Sequence, residues 1–94
     1  MSLSIWLARY GTAWKTRDAE LAASLFTEDA TYHENPFEAA MKGRAALRDY
    51  WTRVTADQRD IEFRSAPIVE SGSTAVAEWS ARFRVESSGA TIEL

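Results

Sequence analysis

The chain has 94 residues, 46% of them apolar, with four tryptophans, three tyrosines, four phenylalanines and a formal charge of −3. That is one small domain, residues 1–94, with enough apolar and aromatic side chains for a packed core, although a chain this short buries a modest share of its surface and gains from a partner subunit. With no cysteine and one histidine, thiolate chemistry, disulfides and a histidine-rich metal site are excluded, so no metal and no cofactor is expected.

The 11 basic residues are dispersed among 14 acids, which argues against a nucleic-acid face. No apolar run approaches the roughly 18 residues of a membrane span. The opening MSLSIWLARY lacks the basic start of a targeting segment, so the chain is expected to be soluble and cytoplasmic.

In chain order, helices come first. From Leu3 to Lys15, Trp6, Tyr10, Ala13 and Trp14 recur at helical spacing beside Leu3 and Leu7, an amphipathic helix with an aromatic inner face. Gly11 inside it costs about 1 kcal/mol relative to alanine and points to the close approach of a neighbouring element. TRDAELAASLF is a second helix with Asp18 as N-cap and Leu21, Ala22, Leu25 and Phe26 as its stripe. ATYHEN is strand-like and stops before Pro36. GRAALRDYWTRV is a third helix, with Leu47, Tyr50, Trp51 and Val54 on one buried face.

Beyond that helix the period changes from 3.6 to 2. Ile61 and Phe63 alternate with Glu62 and Arg64. In TAVAEWSARFRVE, Ala77, Trp79, Ala81, Phe83 and Val85 face one way, and Glu78, Ser80, Arg82, Arg84 and Glu86 the other. SSG reads as a hairpin loop, and Ala90, Ile92 and Leu94 of ATIEL as the inward positions of a return strand. Helices followed by antiparallel strands give an α+β domain.

The run ARYGTAWKTRDAELAASLFTEDATYHENPFEAAMKGRAALRDYW and the strand AVAEWSARFRV resemble the NTF2-like superfamily, in its SnoaL-like and ketosteroid-isomerase-like branch. The resemblance covers essentially the whole chain. It implies a cone: three N-terminal helices packed on a curved antiparallel sheet, with an apolar pocket for a small hydrophobic molecule opening between them. It also implies a homodimer, and two further strands after ATIEL. The chain is therefore expected to be either a fragment or a shortened cone with an exposed edge. A carboxylic acid that helps hold the oxyanion in the isomerases comes from that later part and has no counterpart here.

The stretch DATYHENPFE carries the candidate chemistry. Alternation puts Tyr32 and Glu34 on one side and His33 and Asn35 on the other, so Glu34 is expected to enter the pocket. The resemblance, with one extra residue before the proline, brings Glu34 nearest the family's general-base aspartate and matches Tyr10 to its oxyanion-hole tyrosine. A carboxylate in an apolar cavity can shuttle a proton beside a ketone, and a buried phenol can donate to the enolate oxygen. Trp14, Tyr32, His33, Trp51, Phe63 and Trp79 are the expected ligand-lining residues.

Structural alternatives stand beside each of these. Glu34 would accept hydrogen bonds from a loop or pair with Arg44, Tyr10 and the tryptophans would be plain core, and His33 would face solvent or a subunit interface. Two functional classes fit: an acid–base isomerase or cyclase acting on a ketone-type substrate, and a non-catalytic ligand-binding or dimerisation module.

Overall fold

The computed structural model describes residues 2–34, 37 and 39–94. Three helices precede a sheet, in the order α1 (Leu3–Lys15), α2 (Ala19–Ser24), β1 (Thr31–Tyr32), β2 (Met41–Lys42), α3 (Gly43–Thr55), β3 (Gln58–Ser71), β4 (Thr74–Val85) and β5 (Thr91–Glu93). The architecture is α+β, with three helices and an antiparallel sheet, as the change of hydrophobic period implies.

Each helix begins where its local chemistry dictates. The Ser2 hydroxyl accepts from Ile5 N to cap α1, and the Asp18 carboxylate accepts from Leu21 N to cap α2. No side chain caps α3. It starts at Gly43, whose φ of +83° only glycine adopts without strain, and whose N–H donates to Ala30 O at 2.8 Å.

The ATYHEN strand is shorter than its residues imply. Only Thr31 and Tyr32 pair, antiparallel to Lys42 and Met41, a partner strand that the sequence pattern does not announce. The expected end of ATYHEN at Asn35 and Pro36 lies outside the described residues.

β3 and β4 form a long antiparallel hairpin with two register shifts, between Arg59 and Glu62 and between Pro67 and Val69. Such bulges bend the strands and increase their twist, so the sheet curves around α1. Asp60, in the first bulge, has φ +53°. At about 3.3 Å per residue, the 14 residues of β3 match the 43 Å long dimension of the molecule. The hairpin's far end is exposed through most of residues 64–76.

The core lies where α1, α3 and the near half of the sheet meet. Ala13, Trp14, Ala22, Tyr50, Trp51, Ala81 and Phe83 form one buried cluster, and Leu7 and Leu47 are buried as well. Trp14 Nε1 donates to Gln58 Oε1 at 2.7 Å, a fully buried bond that ties α1 to the start of β3. Gly11 faces Phe63 so closely that a Cβ there would lie 2.7 Å from Phe63 Cδ1. The glycine admits β3 at the distance its place in the helix implies.

The expected inward set of the last strand needs correction. Register puts Ile92 opposite Phe83, and backbone bonds put Leu94 opposite Ala81, so both lie on the core side of the sheet. They are nevertheless exposed, at 37% and 60%, as is Ala90, because no strand among the described residues lies beyond β5 to cover them.

Candidate functional site

All three tyrosines of the chain converge. Tyr10 comes from the inner face of α1, Tyr32 from β1 and Tyr50 from the buried stripe of α3. The Tyr32 hydroxyl acts on both Tyr10 and Tyr50, and the Glu34 carboxylate acts on Tyr50 as well. The Tyr32 and Tyr50 rings stand 5.6 Å apart. The result is a cluster of three phenols, Tyr10, Tyr32 and Tyr50, with the Glu34 carboxylate near enough to Tyr50 to act on it.

Electrostatics follow from placement. Burial, then the Tyr32 hydroxyl and the electrostatics of Tyr50, push the Tyr10 phenol far above its ordinary range. Burial does the same to Tyr50, helped by Tyr32 and by Glu34. Both phenols therefore hold their protons and act as hydrogen-bond donors.

Glu34 is exposed to solvent rather than buried in a cavity. β1 ends at Tyr32, two residues earlier, so strand alternation does not carry Glu34 into the core. It still acts on the Tyr50 phenol. His33 is exposed as well. Arg44, the alternative partner for Glu34, instead donates to Phe26 O at 2.7 Å and pairs with Glu28 at 3.8 Å.

The other expected lining residues form a continuous aromatic cluster. Tyr10 meets Trp51 at 5.4 Å and Phe63 at 5.7 Å between ring centroids. Trp14 meets Trp51 at 5.3 Å, Phe63 at 5.5 Å and Trp79 at 5.4 Å. Trp14 and Trp51 are 5% and 4% exposed and fill the core, whereas Trp79 is 49% exposed at its margin. Two hollows lie nearby. One of about 350 Å³ runs along Trp79, and one of about 420 Å³ lies between the start of α1 and the β3–β4 turn. Trp6 lines the second and stacks on Tyr10 at 5.2 Å, so that hollow opens beside the tyrosine array.

The tryptophan N–H groups are not equivalent. Trp6 Nε1 donates to Leu25 O at 2.9 Å and Trp14 Nε1 to Gln58. Trp51 Nε1 is buried and has no acceptor among the described residues. An unpaired buried donor costs about 1–3 kcal/mol, and this one belongs to the ring that touches both Tyr10 and Tyr50.

Sequence reasoning missed two residues of this site, Tyr50 and Trp6. Tyr50 reads as one more apolar position of the α3 stripe. The available signal is its hydroxyl, since a buried phenol generally finds a polar partner. Among the described residues, no group of three or more His, Asp or Glu side chains stands close enough to hold a metal ion. No described helix is long and apolar enough to cross a membrane.

Comparison with known proteins agrees with the fold. Residues 7–94 match the family described as the SnoaL-like domain. No curated protein matches the chain. A protein from Catenulispora acidiphila, with a ketosteroid isomerase-like fold and solved in complex with trimethylamine, superposes with a TM-score of 0.79 at 17% identity, over 94% of this chain and 68% of that one. A ketosteroid isomerase-like protein from Erwinia carotovora atroseptica superposes with a TM-score of 0.73 at 16% identity, over 97% and 72% of the two chains. A computationally designed 17-OHP binder gives 0.75 at 20% identity, over 97% and 74%. At these identities the likeness establishes the fold.

Proposed function

The chain belongs to the SnoaL-like domain family, and on that premise we propose that it binds a small, flat, apolar molecule carrying a carbonyl oxygen and moves a proton on it. The observation that carries the proposal is the tyrosine array ending at a carboxylate, Tyr10, Tyr32, Tyr50 and Glu34. Tyr10 donates to the carbonyl oxygen and strengthens that bond as negative charge develops there. Glu34 takes a proton from the carbon beside the carbonyl, the C–H electron pair passing into the enolate, and returns it to that carbon or to a conjugated one. Tyr50 holds the carboxylate in place. Phe63 and Trp79 supply the apolar wall, backed by the buried Trp14 and Trp51, and Tyr32 and His33 stand at its polar end.

One further observation supports a carbonyl ligand, and another a small-molecule ligand more generally. The unpartnered Trp51 N–H gains an acceptor if the oxygen arrives next to Tyr10. The fold also accommodates small molecules in two of its structural neighbours, a trimethylamine complex and a designed 17-OHP binder.

A second reading is favoured by the exposure of Glu34. A carboxylate that faces solvent rather than a closed cavity suits a non-catalytic binder using Tyr10 alone. Deuterium uptake by 2-tetralone in heavy water separates the two. The enzyme reading expects uptake above the buffer rate, lost by orders of magnitude in Glu34→Gln with folding intact. The binder reading expects no acceleration and a tetralone affinity that Glu34→Gln barely alters.

A further inference from the structure

The far end of the β3–β4 hairpin and the start of α1 enclose a hollow of about 420 Å³. Trp6 lines it, whereas Tyr10, stacked on Trp6 at 5.2 Å, does not. The hollow is therefore distinct from the place proposed for the carbonyl oxygen, and its chemistry is independent of that reading. Leu3, Ala75 and the Trp6 ring supply apolar surface, Ser73 and Thr74 supply hydroxyls, and Glu70 is the one charged residue of the lining.

The second bulge is what brings Glu70 there. Alternation from Phe63 through Pro67 would, in a regular strand, send Val69 inward and Glu70 outward. The extra residue at Ile68 reverses this: Pro67 pairs with Ala77, Val69 with Val76 and Glu70 with Ala75. Ala81 is buried in the core, so Ala77 and Ala75 share its face, and Glu70 turns with Ala75 to the α1 side of the sheet. Its Oε1 accordingly accepts from Leu3 N at 3.2 Å. Bulges recur beside functional sites because they re-aim a side chain in this way.

The charge of Glu70 is left largely uncompensated. It forms no ion pair among the described residues, and its Oε2 has no donor among them. The Leu3 N–H belongs to the first turn of α1, whose dipole is equivalent to about half a positive charge. That bond offsets only part of the carboxylate charge.

We propose that this hollow binds a small organic ammonium ion, with the cation against the Trp6 ring and beside Glu70 Oε2. An indole attracts a cation held within about 6 Å of its centre. The methyl groups of a substituted ammonium also suit the apolar surface of Leu3 and Ala75, and a hydroxyl on the ligand meets Ser73 or Thr74. Other charged ligands fit less well. A calcium or magnesium ion needs several oxygen ligands, which one carboxylate does not supply, and an anion is repelled by Glu70.

NMR titration at low ionic strength tests this, using choline and its uncharged isostere, the alcohol carrying a tert-butyl group in place of trimethylammonium. Sodium chloride at matched ionic strength separates binding from general screening. Choline is expected to shift the Trp6 indole and Ala75 amide signals saturably, in the millimolar range, and to bind at least about fivefold more tightly than the alcohol. Glu70→Gln keeps an oxygen acceptor for Leu3 N while removing the charge, and is expected to abolish that preference with the fold intact. Should it unfold the chain, Ala75→Lys serves in its place: it sets a tethered ammonium directly across from Glu70 and is expected to exclude choline. No saturable shift in the millimolar range overturns the proposal, and so does equal binding of the uncharged alcohol. Choline binding that folded Glu70→Gln or Ala75→Lys leaves unchanged overturns it too, as do shifts confined to Tyr10 and Trp51, which would place choline at the carbonyl site.

Discussion

The Phe63 ring of β3 lies directly against the bare Cα of Gly11 in α1, leaving no room for a methyl group: a Cβ there would stand 2.7 Å from Phe63 Cδ1 and 3.3 Å from Cε1. Phe63 cannot move freely, because it also touches Tyr10, Trp14 and Trp79. Helix propensity alone favours Gly11→Ala by about 1 kcal/mol, but overpacking a core costs about 1–3 kcal/mol. Gly11→Ala is therefore expected to be destabilising, as measured by urea unfolding. Gly11→Ala combined with Phe63→Leu is expected to recover part of the loss, which a helix-propensity effect would not do.

Gln58 sits at the end of the buried bond from Trp14 Nε1. Gln58→Leu preserves bulk and removes the acceptor, leaving a second unpaired indole donor in the core. The expected cost is about 1–3 kcal/mol, together with an upfield shift of the Trp14 indole proton in NMR spectra. An unchanged indole signal would contradict the bond.

Tyr10 and Tyr50 predict the behaviour in alkali. Both phenols are held above the ordinary value of 10.0, chiefly by burial. Below that value neither the folded nor the unfolded chain ionises them, so they add no pH dependence. Above it the unfolded chain loses protons that the folded chain retains, and stability falls by up to about 1.4 kcal/mol per pH unit for each phenol. Absorbance at the phenolate band is expected to show Tyr10 and Tyr50 ionising only as the chain unfolds, with the slope reduced in Tyr10→Phe. Reversible ionisation of Tyr10 in the folded chain near its ordinary value would contradict the burial account.

Much of this architecture was legible before any coordinates. The Trp6, Tyr10, Ala13, Trp14 spacing marks α1 over its observed span, and the Leu47, Tyr50, Trp51, Val54 spacing marks α3, because a helix that buries one face must repeat its apolar side chains every three to four residues. Alternation likewise marks β4. The bulges at Asp60 and Ile68 were not legible, because one extra residue in a strand leaves the apolar count unchanged. The exposure of Ile92 was missed for a related reason: register fixes the face a side chain takes, while burial depends on what lies beyond it.

At the candidate site, Glu34 was singled out by strand alternation and the family resemblance, and Tyr10 by the resemblance. Tyr50 was not, since on a helix stripe a phenol looks like any other large apolar side chain until the fold sets it beside Tyr32. The exposure of Glu34 was hidden because β1 stops at Tyr32 and pairs with Met41–Lys42, a two-residue strand too short to carry a period.

Tyr10 and its neighbours are proposed to recognise a carbonyl oxygen. The most direct test compares 2-tetralone with tetralin, a hydrocarbon of nearly the same size, while NMR follows the Trp51 indole proton and the Tyr10 ring. The account predicts that the ketone shifts both sets of signals and binds at least about tenfold more tightly than the hydrocarbon, and that Tyr10→Phe removes most of the difference. Equal affinity for the two compounds, or tetralone binding that leaves Tyr10 and Trp51 undisturbed, would contradict it.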